Sequence, residues 1–150
     1  MDTEELDSAL ARYCRFFETL ETDSLGEIEQ LFEADALFVD PFNRVRGTAA
    51  IRRIFEHLLR HWPSTRFEVR ETCRKEHKAF LLWTFQPDPS RSLAIEGTSR
   101  VEFGMQGKVV AHHDYWDSAS ELYAHLPLTG PPVRWLLRRS QANAQDQVDE

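Results

Sequence analysis

The hydrophobic pattern of this 150-residue chain changes its period near Thr65, from the spacing of helices to the spacing of strands. Before that point apolar residues recur at helical spacing, which is typical of amphipathic helices. After it apolar and polar residues alternate, which is typical of strands with one buried face. Helices that come first and strands that follow predict an α+β fold, with one curved antiparallel sheet and helices on its concave side.

The helices and the first strand are predicted before Thr65. Apolar stripes indicate helices at residues 6–20 and 48–62, the second one capped by Thr48, and a capping box at residues 24–27 begins a short helix between them. Residues 36–40 predict a short strand that Pro41 stops, because proline cannot donate to a strand ladder.

The predicted sheet continues with four segments, at residues 66–73, 79–85, 93–103 and 109–117. Gly97 lies inside the third of them, and an internal glycine predicts a bulge or a sharp bend. Beyond the strands we expect a short helix at residues 118–125, a basic and apolar helix at 133–139, and a polar tail at 141–150.

The last predicted strand carries the most informative side chains, because alternate residues of a strand face opposite sides. One face mixes an imidazole, a carboxylate and an indole, which suits a wet, half-apolar pocket. The other is apolar with a polar tip, which suits a surface covered by a second copy of the chain. The first face comprises Val110, His112, Asp114 and Trp116, and the second comprises Val109, Ala111, His113 and Tyr115.

Composition excludes several classes of partner and cofactor. The net charge of −7 argues against a nucleic-acid-binding surface and against anionic membranes. The two cysteines, Cys14 and Cys73, have no disulfide-framework or zinc-ligand spacing, so no metal and no cofactor is predicted. No signal peptide and no membrane-spanning run is visible, so a cytoplasmic protein is expected.

The order of these elements resembles the nuclear transport factor 2-like superfamily, which includes ketosteroid isomerases, limonene epoxide hydrolases and SnoaL-like polyketide cyclases. The resemblance implies a cone-shaped α+β barrel, in which the sheet wraps around the N-terminal helices and encloses a pocket. It implies a SnoaL-like domain at residues 1–126, with a C-terminal helix and a disordered tail at 127–150. The residues that carry it are Ala11, Arg12 and Tyr13, the segment 38–42 followed by Gly47, and Phe103, Gly107, Tyr115 and Trp116.

The same resemblance assigns roles to five residues. Asp40 matches the general base of the ketosteroid isomerases, and Tyr13 matches their oxyanion-hole tyrosine. Ser99 falls where those enzymes have a protonated acid, so its hydroxyl would donate a weaker hydrogen bond. The pair His112 and Asp114 is similar to the His-x-Asp of SnoaL-like cyclases, where the aspartate is the acid/base. Asp40 and Asp114 could also supply the two acids of an epoxide hydrolase.

The residue types support these roles but also allow structural ones. Burial in an apolar pocket makes a carboxylate a stronger base, which suits the removal of a proton next to a carbonyl. Asp40, however, can simply close a turn through its own backbone. Tyr13 can be a core residue with a satisfied hydroxyl, and His112 and Asp114 can exist to satisfy each other.

The sequence therefore predicts a protein that binds a small apolar molecule, as an acid/base isomerase, cyclase or hydrolase of a carbonyl or epoxide compound. The alternative is a non-catalytic ligand-binding or protein-interaction module of the same fold. In either case we expect a homodimer joined through the convex face of the sheet. The predicted catalytic residues are Asp40, Asp114, His112 and Tyr13, and the predicted ligand-binding residues are Trp83, Ser99, Trp116, Phe38 and Phe55.

Overall fold

The structure of the chain is a computed structural model that describes residues 2–118. The helix predicted at 118–125 lies outside the described residues except for its first residue, and the helix predicted at 133–139, the tail at 141–150 and the domain boundary at 126 lie wholly outside them. Residues Met1–Trp116 form one compact unit. Its elements are α1 (Thr3–Glu18), a 3-10 helix (Thr22–Glu27), α2 (Ile28–Leu31), β1 (Phe32–Val39), β2 (Arg44–Arg46), α3 (Thr48–His61), β3 (Arg66–Lys75), β4 (Lys78–Gln86), β5 (Ile95–Phe103) and β6 (Val109–Trp116).

The described strands form one six-stranded sheet in the order β2-β1-β6-β5-β4-β3. It curves around the N-terminal helices without closing, which confirms the predicted α+β cone. The sheet differs from the expected antiparallel one in a single pairing, because β1 and β6 run parallel. The chain between these two strands passes through α3 and four further strands, which is long enough for a parallel neighbour.

Two residues predicted to cap helices, Ser24 and Thr48, have other roles in the structure. Ser24 does not begin a helical capping box with Glu27; its hydroxyl bonds instead to the backbone of Glu21, inside the 3-10 helix. Thr48 is the first residue of α3, and the position before it is Gly47, at a φ of 93°. Glycine tolerates this left-handed conformation, so it supplies the turn from β2 into the helix.

The strand β6 contains a bulge that exchanges the faces of its first two residues. Ala111 pairs with Glu102 and Val109 pairs with Phe103, so one extra residue, Val110, has no partner in β5. Val109 is therefore fully buried, while Val110 is 38% exposed. The predicted faces are wrong for this pair, because a bulge shifts the alternation of side chains by one residue.

Gly97 is not at a bulge, because β5 pairs without interruption with β4 on one side and β6 on the other at this point. Its direct partner on β4 is Trp83. A Cβ atom at residue 97 would overlap the six-membered ring of the Trp83 indole. The glycine is thus needed for the close approach of an aromatic side chain rather than for a bend.

Both cysteines are free thiols in the structure. Cys14 is half-buried on α1, and burial raises the pKa of its thiol to about 11. Cys73 lies exposed on β3. Among the described residues, no helix is long and apolar enough to span a membrane.

Candidate functional site

The concave face of the sheet and the helices α1 and α3 enclose a cavity of about 40 Å³. This space suits water-sized molecules, since pockets for drug-sized ligands measure roughly 300–1,000 Å³. Most of the wall is aromatic or aliphatic, and its polar groups lie on the sheet side apart from the Tyr13 hydroxyl, which comes from α1. The lining residues are Tyr13, Phe17, Phe38, Phe55, Phe67, Val69, Leu81, Trp83, Ser99, His112 and Asp114.

Five of the lining side chains form one continuous hydrogen-bonded chain. The Tyr13 hydroxyl lies 2.6 Å from Nδ1 of His112, and Nε2 of His112 lies 2.7 Å from Oδ1 of Asp114. From the other side, the Ser99 hydroxyl donates to the same Oδ1 at 2.5 Å, and Nε1 of Trp83 donates to the Ser99 Oγ at 2.8 Å. The chain therefore joins α1 to three strands of the sheet.

The chemistry of the groups sets the direction of each hydrogen bond. An indole N–H can only donate, so the Ser99 hydroxyl accepts a hydrogen bond from Trp83. The Ser99 hydroxyl in turn donates its own hydrogen bond to Asp114. A carboxylate can only accept, so the proton between His112 and Asp114 is on Nε2. In the neutral imidazole the other ring nitrogen, Nδ1, then accepts from the Tyr13 hydroxyl. Two donors converge on Oδ1 of Asp114. Its Oδ2 takes no hydrogen bond from the described residues.

Aromatic packing holds the His112 ring in place. The Phe38 ring is parallel to it with centroids 4.5 Å apart, and the Phe17 ring stacks on it at 6.1 Å. The register of the sheet explains the first contact, because Phe38 of β1 is the direct partner of His112 on β6. His112 is thus a buried polar residue with both ring nitrogens bonded.

Tyr13 is fully enclosed by the core, and this burial raises the pKa of its hydroxyl well above the ordinary value. The negative charge of Asp114 raises it further. The hydroxyl therefore stays protonated and remains a hydrogen-bond donor. This arrangement departs from an oxyanion-hole tyrosine, because the donor is already bonded to His112.

Asp40 lies outside the lining of the cavity, at the end of β1. Its Oδ1 accepts the backbone N–H groups of Phe42 at 2.7 Å and Asn43 at 2.6 Å, and its Oδ2 accepts the Asn43 side-chain amide at 2.9 Å. This is the turn that the alternative interpretation predicts. In the parallel register of β1 and β6, Val39 pairs with His113, so Asp40 follows on the strand next to Asp114. Its carboxylate is nevertheless bonded to the turn and is not part of the cavity lining, which gives the predicted base no support.

The remaining predicted site residues also divide into those that line the cavity and one that does not. Trp83, Ser99, Phe38 and Phe55 line the cavity, whereas Trp116 is not in its lining and packs edge-on against Phe42 with centroids 5.6 Å apart. The sequence interpretation missed the aromatic and aliphatic walls, although Phe17 stands in the predicted stripe of the first helix. It also missed that Gly97 makes room for the ring of Trp83, although a glycine inside a strand is a sequence signal for such a close approach. The missed lining residues are Phe17, Phe67, Val69 and Leu81.

No three histidine, cysteine or acidic side chains come close enough within residues 2–118 to hold a metal ion together. Among the described residues that line the cavity, Asp114 is the only acidic one, and the hydrogen bonds from His112 and Ser99 both go to its Oδ1.

The curved sheet, the helices on its concave face and the enclosed polar chain define a cone of the nuclear transport factor 2-like class. The SnoaL-like domain family matches residues 14–112, about two thirds of the chain, and the protein belongs to this family. The match covers Ser99 and His112 and stops two residues before Asp114.

Solved structures share the same fold at low sequence identity. A candidate isomerase of the SnoaL-like family from Agrobacterium tumefaciens has a TM-score of 0.65 and 15% identity, over 77% of this chain and 99% of that one. A candidate ketosteroid isomerase from Kribbella flavida has a TM-score of 0.62 and 18% identity, over 77% and 79%. A candidate polyketide cyclase from Sinorhizobium meliloti has a TM-score of 0.61 and 18% identity, over 77% and 100%. No curated protein matches the chain.

Proposed function

We propose that the protein is an acid/base enzyme, an isomerase or cyclase, in which Oδ2 of Asp114 removes a proton from a small apolar carbonyl compound. The observation that carries the proposal is that only one of the two oxygens of the Asp114 carboxylate is hydrogen-bonded within the described residues. Oδ1 receives hydrogen bonds from His112 and Ser99, while Oδ2 has no partner among the described residues of an otherwise apolar cavity. A fixed carboxylate with one open oxygen is suited to general base catalysis.

The donors of the cavity narrow the class of substrate. Each N–H or O–H group on the described side chains that line it is already used inside the hydrogen-bonded chain. None is left for the oxygen of a simple enolate, which would otherwise need strong stabilisation. We therefore infer a substrate whose C–H group lies between two carbonyls, because its enolate spreads the negative charge over two oxygens.

The proposed step balances without a co-reactant. The C–H bond breaks, its proton moves to Oδ2 of Asp114, and the electron pair enters the dicarbonyl system as an enolate. In a cyclase the enolate carbon then forms a bond to a second carbonyl carbon, and the new alkoxide takes the proton from Oδ2. In an isomerase the same proton returns to a different carbon. His112 and Tyr13 orient the carboxylate throughout.

The family and two structures of the same fold support this direction, since one of the two is a candidate ketosteroid isomerase and the other a candidate polyketide cyclase. These likenesses concern the fold, so the residues of the site carry the chemical argument.

Deuterium exchange tests the proposal. Ethyl 2-methylacetoacetate and cyclohexanone are incubated with the protein in D₂O, and loss of the α-proton signal is followed by NMR. We expect faster exchange of the dicarbonyl compound only. Asp114→Asn should reduce that acceleration by at least about 100-fold, the usual contribution of a general base. Asp40→Asn is the matched control and should retain it. An unchanged rate in Asp114→Asn, or a rate lost in Asp40→Asn, would contradict the proposal.

A second candidate, a non-catalytic module, is favoured by the size of the cavity. A volume of about 40 Å³ is small for any carbonyl compound beyond a few heavy atoms. An enzyme must therefore move one of its aromatic walls to admit substrate, whereas a module would not. Absence of any exchange activity, together with a cavity that stays closed in the presence of the dicarbonyl probe, would favour the module.

A further inference from the structure

Gly97 lies in close contact with Trp83, one of the residues that line the cavity. They face each other across β4 and β5, and the absence of a Cβ at Gly97 lets the indole lie against the backbone. Any larger residue at position 97 would have to push this ring away, because the overlap concerns its rigid six-membered part. The position of the indole is therefore set by a backbone feature rather than by a flexible neighbour.

The indole in turn determines the direction in which the Ser99 hydroxyl donates its hydrogen bond. Both residues are buried, and the indole N–H has the Ser99 Oγ as its acceptor at 2.8 Å. With that N–H occupying one lone pair, the hydroxyl proton is directed at Asp114. Ser99 and Asp114 are direct partners across β5 and β6, so the register of the sheet brings them to this distance.

We propose that Gly97, Trp83 and Ser99 form a positioning arm, which fixes the plane of the Asp114 carboxylate and leaves Oδ2 as the reacting oxygen. The last torsion of an aspartate has a broad, roughly two-fold preference, so one hydrogen bond alone would not hold this plane. His112 supplies one donor from β6 itself, and the arm supplies the second from β5. The arm rests on the proposed function only in treating Asp114 as the base.

Four variants distinguish an effect of the positioning arm from a general loss of packing. Ser99→Ala removes the donor to Asp114, and Trp83→Phe removes the indole N–H together with the ring that Gly97 accommodates. Gly97→Ala displaces the indole without changing any polar group. Gly26→Ala is the matched control, because a Cβ there would meet no atom within 4 Å.

The first readout is NMR of the free protein, which needs no substrate. Gly97→Ala and Ser99→Ala should both move the indole N–H resonance of Trp83, which is assigned by its absence in Trp83→Phe. Ser99→Ala should also shift the His112 Nε2–H resonance, since the shared acceptor on Asp114 is then free to turn. Gly26→Ala should change neither signal.

The second readout is a double variant. Phenylalanine lacks the ring atoms that a Cβ at residue 97 would overlap, so Trp83→Phe should suppress the loss of melting temperature caused by Gly97→Ala. The third is kinetic, on the dicarbonyl probe. Ser99→Ala should lower kcat by up to about 100-fold with little change in KM, as misorientation of a catalytic group does.

The arm is overturned if Ser99→Ala leaves the His112 resonance where it is in the wild type, or if Trp83→Phe fails to suppress the Gly97→Ala defect. These results do not depend on turnover. If no dicarbonyl probe reacts but the resonances move as expected, the proposed function fails and the arm stands. If the probe reacts and Ser99→Ala keeps the full kcat, the function stands and the arm fails.

Discussion

Asp40 and Asp114 each come at or near the end of a strand, yet their carboxylates meet different partners. Asp40 accepts mainly from the turn that follows it, and Asp114 accepts from two side chains on the cavity wall. The first arrangement stabilises a local backbone conformation, and the second holds a charge where a ligand could reach it.

The turn at Asp40 leads to a stability prediction. Asp40→Asn removes the charge and one of the two acceptor oxygens, so we expect the free energy of unfolding to fall by roughly 0.5–1 kcal/mol. Chemical denaturation measures the change. Asp35→Asn, a change at an exposed residue of the same strand, is the control and should be close to neutral. An Asp40→Asn protein as stable as wild type or more so would revive the interpretation of Asp40 as a strained pocket base.

Tyr13 permits a second prediction at this scale. Tyr13→Phe removes the donor to Nδ1 of His112 and leaves a buried acceptor unsatisfied, which costs about 1–3 kcal/mol of unfolding free energy. Tyr115→Phe changes the same group on an exposed tyrosine and should cost almost nothing. Equal effects of the two substitutions in urea unfolding would mean that the Tyr13 hydroxyl is not holding His112.

At the scale of single elements, β6 combines the functional face with a convex face that carries both apolar side chains and the imidazole of His113. His113 points away from the cavity, and burial lowers the pKa of its imidazole, with the positive charges of Arg100 and Arg44 lowering it further and Glu102 opposing them. Its buried Nδ1 has no hydrogen-bond partner among residues 2–118.

This lowered pKa predicts a pH dependence of stability. The unfolded chain binds the His113 proton more readily than the folded one, so protonation favours unfolding. The His113 contribution to stability is complete above the ordinary pKa of 6.5 and is lost as the pH falls through the lowered, folded value. His113→Gln should therefore flatten the fall in melting temperature between about pH 7 and pH 5. The exposed His57→Gln serves as the control, and equal slopes in His113→Gln and wild type would refute the assignment.

The same strand marks where sequence reasoning works and where it ends. Alternation placed His112 and Asp114 on one inward face, because a period of two depends only on local backbone geometry. It misplaced Val109 and Val110, because the bulge depends on how β5 and β6 pair. The role of Gly97 was out of reach for a similar reason, since it depends on the neighbour across the sheet, Trp83.

At the scale of the whole molecule, the order of helices and strands was enough to predict one curved sheet with helices on its concave side, and the family resemblance added the cone. Helical and alternating patterns are local signals, and few topologies bury both kinds of apolar face in one layer arrangement. The parallel contact between β1 and β6 was not predictable, because strand neighbours far apart in the chain have no local signature. The aromatic filling of the cavity was likewise visible as residue types but not as a volume.

The homodimer stays a prediction, and the convex face gives it a test. Phe80 and Tyr115 are 45% and 53% exposed there, with Val110 replacing Val109 as the third apolar side chain. Exposed apolar groups on one face are typical of contacts. Light scattering at micromolar concentration should give a dimer, and Tyr115→Lys should shift it to monomer while Met105→Lys, at the β5–β6 turn, should not. A wild-type monomer would count against the prediction.

The central claim is that the hydrogen bonds of the cavity converge on one oxygen of Asp114 and leave the other open. The ring protons of His112 test the two hydrogen bonds on which this claim depends, because a proton on Nε2 with a bare Nδ1 requires Tyr13 to donate and Asp114 to accept. Nitrogen-15 NMR of the histidine rings, with His112→Gln for assignment, distinguishes the forms at neutral pH. We predict the neutral ring with its proton on Nε2. A proton on Nδ1 would reverse the bond to Tyr13 and would contradict the account.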